Sequence, residues 1–97
     1  MVEIAQRMKK YQIIRISGQL AGTLFRQEAR QQAERLGLTG TARLEANGDL
    51  RLEAEGDADA LQDYINWCRT GPDGTHVRQV EVLDGELQGF DRFMELR

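Results

Sequence analysis

The stretch Ile14-Arg15-Ile16-Ser17-Gly18-Gln19-Leu20-Ala21-Gly22-Thr23-Leu24-Phe25-Arg26 constrains the fold more than any other part of the chain. It begins as an apolar strand, passes two glycines and runs directly into a helix. Such a turn can aim several backbone N–H groups at one point, and with the helix N-terminus they form a ready anion site. Arg26 falls in the first turn of that helix. The helix dipole favours acidic side chains there, so a cation is poorly placed unless an anion is bound in the turn. By itself a Gly-x-x-x-Gly loop is a weak motif, and an ordinary strand–loop–helix connection with a solvated arginine also accounts for it.

The chain around this stretch is short. Its 97 residues suffice for one domain with a single modest core. Net charge is −3, so no global positive field draws in nucleic acid or an acidic membrane surface. The one cysteine, Cys68, permits no intrachain disulfide and no two-cysteine metal site, which fits a reducing cytoplasm. No apolar run approaches the ~20 residues of a membrane span. Residues 1–10 alternate in polarity and lack the apolar core of a signal peptide. They are expected to form an arm, with residues 11–97 as the domain.

Read in order, residues 11–17 predict a strand with Ile14 and Ile16 on one face and Ile13 and Arg15 on the other. Phe25, Ala29, Ala33 and Leu36 then form a narrow apolar stripe, predicting a helix over 25–36 with Gly37 as its stop. Strands over 40–46 and 49–55 flank Asn47-Gly48, a strong hairpin signal because both residues tolerate positive φ. A second helix over about 58–69 follows, capped by Asp57 or Asp59, with Leu61, Ile65 and Cys68 inward and Tyr64 or Trp67 at the edges. Val77, Val80 and Val82 mark a fourth strand, whose three-residue step predicts a bulge, and residues 90–96 a last one. The order β-α-β-β-α-β predicts an α+β, ferredoxin-like sandwich: an antiparallel sheet of order 4-1-3-2, both helices on one face, and a short extra C-terminal strand. This topology hosts many functions.

The spacings resemble the acylphosphatase family. Its first signature, Gly-x-Val-Gln-Gly-Val-x-Phe-Arg, is similar to Gly18-Gln19-Leu20-Ala21-Gly22-Thr23-Leu24-Phe25-Arg26, with Gly18, Gly22, Phe25 and Arg26 in register. Ala33, Leu36-Gly37-Leu38 and Gly40 resemble the family's Ala-x-x-Leu-Gly-Leu-x-Gly, and Trp67, Gly71-Pro72 and Val77 also fit. The resemblance implies metal-independent hydrolysis of the carboxyl–phosphate bond of small acyl phosphates, with no cofactor. It implies that the backbone N–H groups of Ala21, Gly22, Thr23, Leu24, Phe25 and Arg26 cradle the phosphoryl oxygens, and that Arg26 is the catalytic cation. A guanidinium fork suits that role, being always charged and matched to phosphate oxygens.

One departure bears on catalysis. The second signature, Gly-Trp-Val-x-Asn, ends in the asparagine that holds the attacking water, and here it reads Gly40-Thr41-Ala42-Arg43-Leu44. Leucine has no hydrogen-bonding atom in its side chain. Thr41 and Arg43 point to the other face, and Asn47 lies roughly 10 Å further along. Ala21 and Thr23 also depart from the family's glutamine and valine. The expected function is therefore acyl phosphate hydrolysis, weak or lost through Leu44. The alternative is a non-catalytic module that binds phosphate or another anion, or a protein partner. The expected ligand is a small acyl phosphate or phosphate anion, bound by a cytoplasmic monomer that uses neither nucleic acid, membrane nor metal. His76 reads as a strand-end surface residue, Cys68 as a small apolar one, and Asp57 and Asp59 as a helix cap. The basic group Arg7, Lys9, Lys10 and Arg15 has only Tyr11 as an interleaved aromatic.

Overall fold

The computed structural model describes residues 8–97. Of the expected arm, residues 1–7 lie outside the described residues, and Lys9 and Lys10 are the first two residues of a strand. The elements run β1 (Lys9–Gln19), α1 (Phe25–Arg35), β2 (Thr39–Leu44), β3 (Leu50–Asp57), α2 (Ala58–Cys68), β4 (His76–Gly85) and β5 (Phe93–Leu96). One five-stranded sheet has the order β4-β1-β3-β2-β5. The expected antiparallel core is therefore present, and β5 extends it by pairing parallel to β2.

Strand alternation decides the layers. Ile14, Ile16, Ala42, Leu50, Leu52 and Ala54 share one face with the apolar stripes of both helices, and all are buried. Phe25, Ala29 and Ala33 bring α1 down, the two alanines allowing close approach to the sheet. From α2 come Leu61, Ile65, Cys68 and Tyr64. Tyr64 is fully buried rather than at the edge, because its hydroxyl donates to the Ala29 carbonyl oxygen at 2.8 Å. That bond satisfies the polar tip, so the whole ring can join the core. Asp57 takes the N-cap position of α2 with extended backbone, but its carboxylate makes no capping hydrogen bond.

Two local expectations are met in altered form. The bulge is present: Ser17 pairs with Gln79 and Gly18 with Val77, leaving Arg78 as the extra residue of β4. The hairpin between β2 and β3 is present, with a wider turn than a two-residue Asn-Gly loop. Glu45 N–H donates to the Asp49 carbonyl at 2.7 Å and Gly48 N–H to the Glu45 carbonyl at 2.9 Å. Only Gly48 has positive φ, at 94°. Asn47 instead uses its side-chain oxygen to accept the Asp49 N–H at 3.0 Å. The last strand starts at Phe93 rather than residue 90, because Phe90 leaves the sheet to stack on Tyr11, ring centroids 6.4 Å apart.

Candidate functional site

The turn between β1 and α1 is pinned at both ends by buried side chains, Leu20 and Phe25. The Phe25 ring meets Trp67 of α2 edge-on at 5.3 Å, which fixes where α1 begins. Inside the turn, Thr23 does the shaping. Its N–H and its hydroxyl both donate to the Leu20 carbonyl oxygen, and its hydroxyl oxygen accepts the Phe25 N–H at 3.3 Å. Gly22 supplies the positive φ, 78°, that reverses the chain. Among the described residues no protein acceptor meets the backbone N–H groups of Ala21, Gly22, Leu24 and Arg26. Residues 21–24 line a cleft of about 640 Å³, together with Glu28 and the turn 71–74. With the acidic residues Glu28 and Asp73 in that lining and no cationic one, the groups able to attract an anion there are the backbone donors.

The Arg26 side chain is not part of the cleft lining. It reaches across to β5, where its Nη1 donates to the Leu96 carbonyl oxygen at 3.0 Å. Its Nε lies 3.8 Å from Glu95 Oε1, while Glu95 Oε2 accepts a hydrogen bond from Arg30 Nε at 2.7 Å. In the parallel ladder Leu96 stands beside Arg43, one residue before Leu44. The Arg26 anchor and Leu44 therefore share one end of the sheet. Leu44 is paired with Leu50 at the C-terminal end of β2 and is 43% exposed. The two uncharged polar side chains that could stand in for it are committed elsewhere. Thr41 donates to Glu53 Oε1 at 2.7 Å on the other face, and the Asn47 amide is tied to Asp49.

The profile described as Acylphosphatase matches residues 12–94. The chain belongs to the acylphosphatase family. An acylphosphatase from Nocardioides sp. is 39% identical over 80 residues, covering 82% of this chain and 81% of the relative. One from Rubrobacter xylanophilus is 34% identical over 96 residues, covering 99% and 86%. The solved acylphosphatase of Coxiella burnetii superposes with a TM-score of 0.88 at 27% identity, over 91% of this chain and 93% of that one. The ferredoxin-like sandwich is thus the acylphosphatase fold, and its first signature is the turn just described.

Sequence reasoning missed Glu95 and the Leu96 carbonyl as neighbours of Arg26. No local pattern signals them, since Leu96 is 70 residues away in the chain. It also missed a part-buried polar centre on the helix-free face. There Tyr11 donates to Glu53 Oε2 at 2.6 Å, and Arg51 Nη1 lies 3.6 Å from Glu53 Oε1. Burial pulls the Glu53 carboxyl up. The hydrogen bonds from Tyr11 and Thr41 and the charges of Arg51 and Arg43 outweigh it and hold the group below its ordinary value. His76 is exposed at the start of β4, as its position suggested, and Cys68 is buried, its thiol pushed up by desolvation.

Proposed function

We propose that this chain binds the phosphoryl group of small acyl phosphates at residues 21–26 and hydrolyses them weakly or not at all. In this reading the working domain, expected over residues 11–97, also takes in Lys9 and Lys10, which pair with β3 in the sheet. The free N–H groups of Ala21, Gly22, Leu24 and Arg26 support an anion cradle, and Arg26 is its cation. Phosphoryl transfer needs chiefly positioning, stabilisation of charge on the equatorial oxygens and an aligned nucleophile. The first two requirements have residues to serve them. The third does not.

The observation that carries the reading is Leu44. It stands at the same end of the sheet as the Arg26 anchor and offers no polar atom, while Thr41 and Asn47 are engaged elsewhere. A water there has no side chain at position 44 to orient it. Loss of a positioning group commonly costs about 10²-fold in rate, near 3 kcal/mol in barrier. The test is hydrolysis of acetyl phosphate by the native protein and by Leu44→Asn. The native rate should lie slightly above background, and the variant should gain about 10²-fold with phosphate affinity unchanged. Robust native turnover would overturn the impairment and direct attention to Thr23 and Asn47. A folded, phosphate-binding Leu44→Asn protein with no gain would favour a second reading, a non-catalytic anion-binding module. The engagement of Arg26 with β5 already leans that way.

A further inference from the structure

We propose that Glu95 is a tethered internal anion that competes with the ligand for Arg26, and that Arg30 is the positioning residue that holds it off. The inference rests on the anion-site reading above and deepens it. Arg26 and Arg30 lie four residues apart in α1, one turn along the same face. The Glu95 carboxylate sits between them and meets them unequally. Its Oε2 is 2.7 Å from Arg30 Nε, a charge-assisted hydrogen bond, whereas its Oε1 is 3.8 Å from Arg26 Nε, too long for one.

That asymmetry has a consequence for binding. A carboxylate beside a guanidinium satisfies the same donors as a phosphoryl oxygen would. Held by Arg30, Glu95 lowers the attraction of Arg26 for an anion without closing on it. Freed from Arg30, it would close the gap and mask Arg26. All three side chains remain partly exposed, so water and a ligand can reach the triad. Ion pairs of this exposure are weak, and a doubly charged phosphate can displace one. Glu34 is the other carboxylate in the cluster, and it lies 3.4 Å from Arg30 Nη1 and so competes for Arg30 rather than Arg26. Arg30 thereby acts on the ligand only through Glu95.

The test is calorimetric titration with inorganic phosphate at low ionic strength, using the native chain, Glu95→Gln, Arg30→Gln and the double variant, each checked for folding by thermal melt. Glu95→Gln should bind phosphate roughly twofold to fivefold more tightly than the native chain. Arg30→Gln should bind it more weakly by a similar factor. The double variant should match Glu95→Gln, because a residue that works through Glu95 has no effect once that charge is gone. If native protein binds phosphate and Glu95→Gln binds no more tightly, the competitor role is wrong while the anion site stands. If Arg30→Gln weakens binding equally in both backgrounds, Arg30 is a direct ligand and the positioning role is wrong. If folded native protein and Glu95→Gln both fail to bind phosphate, the anion-site reading itself falls.

Discussion

Two turns among the described residues, each with neighbouring backbone N–H groups left over from regular structure, are treated in opposite ways. In the connection from β4 to β5, the N–H groups of Gln88, Gly89 and Phe90 all donate to the Glu55 carboxylate, with Gly89 at 2.9 Å and Phe90 at 3.0 Å. Glu55 is 7% exposed, so this anion is resident and structural. In the turn between β1 and α1, four N–H groups of residues 21–26 meet no protein acceptor among the described residues. The difference lies in where a carboxylate can come from. Glu55 projects from β3 straight into its turn, directly across from Tyr11, whose ring stacks on Phe90. At the first turn Glu28 and Asp73 lie among the cleft-lining residues, but neither carboxylate accepts a hydrogen bond from the turn's N–H groups. Glu95 reaches only Arg26 and Arg30, not the backbone donors. A donor-rich turn filled from within stiffens the fold, whereas one left open is the place to look for a ligand.

The comparison can be broken most sharply at Glu55. Glu55→Gln turns one acceptor oxygen into a donor that faces N–H groups, and loss of charged hydrogen bonds in a buried setting costs about 3 kcal/mol. Denaturant unfolding should show that loss, while the phosphate-induced shift in melting stays as in the native chain. A loss of both would mean that the two turns are not independent. Arg26→Ala should do the reverse. Phosphate at ~100 times its dissociation constant stabilises a protein that binds it only when folded by about 2.7 kcal/mol, and the variant should forfeit most of that. Its melt without phosphate should move little, because the exposed Arg26–Glu95 pair contributes little. Coincident native melts with and without phosphate would remove the contrast altogether.

Smaller effects sharpen the picture. Thr23→Val removes the hydroxyl that links Leu20 to Phe25 and should destabilise by about 1 kcal/mol. Another effect is alkaline and belongs to the helix-free face around Tyr11. Burial first, then the hydrogen bond and charge of Glu53, push the Tyr11 hydroxyl from its ordinary 10.0 to about 12. Below pH 10 folded and unfolded chains both keep that proton, and the contribution is complete. As pH rises further the unfolded chain loses the proton first, so stability falls between pH 10 and 12. Ultraviolet titration of the phenolate in native protein and in Tyr11→Phe, with parallel melts, checks this. A Tyr11 that titrates at its ordinary value would refute the buried bond to Glu53.

Much of the fold was legible in the chain because it is written in local periodicity and turn chemistry. The Ile14–Ile16 alternation, the Phe25–Ala29–Ala33 stripe, the hairpin at Asn47-Gly48 and the step from Val77 to Val80 each lie within a few residues, and each appears in the structure. The family signature around Gly22 and Arg26, and the leucine at position 44, were equally readable. What tertiary structure alone decided are meetings between distant residues: Tyr64 bonded to Ala29, Glu55 seated in the turn at 88–90, β5 laid parallel to β2, and Arg26 held by Glu95 and Leu96. The physical reason is one of range. Side-chain periodicity and backbone dihedral preferences act over one or two turns of chain, and they orient each element toward the core. Which carboxylate then faces which donor depends on how layers stack and which strand takes the sheet edge, and no window of sequence contains both partners.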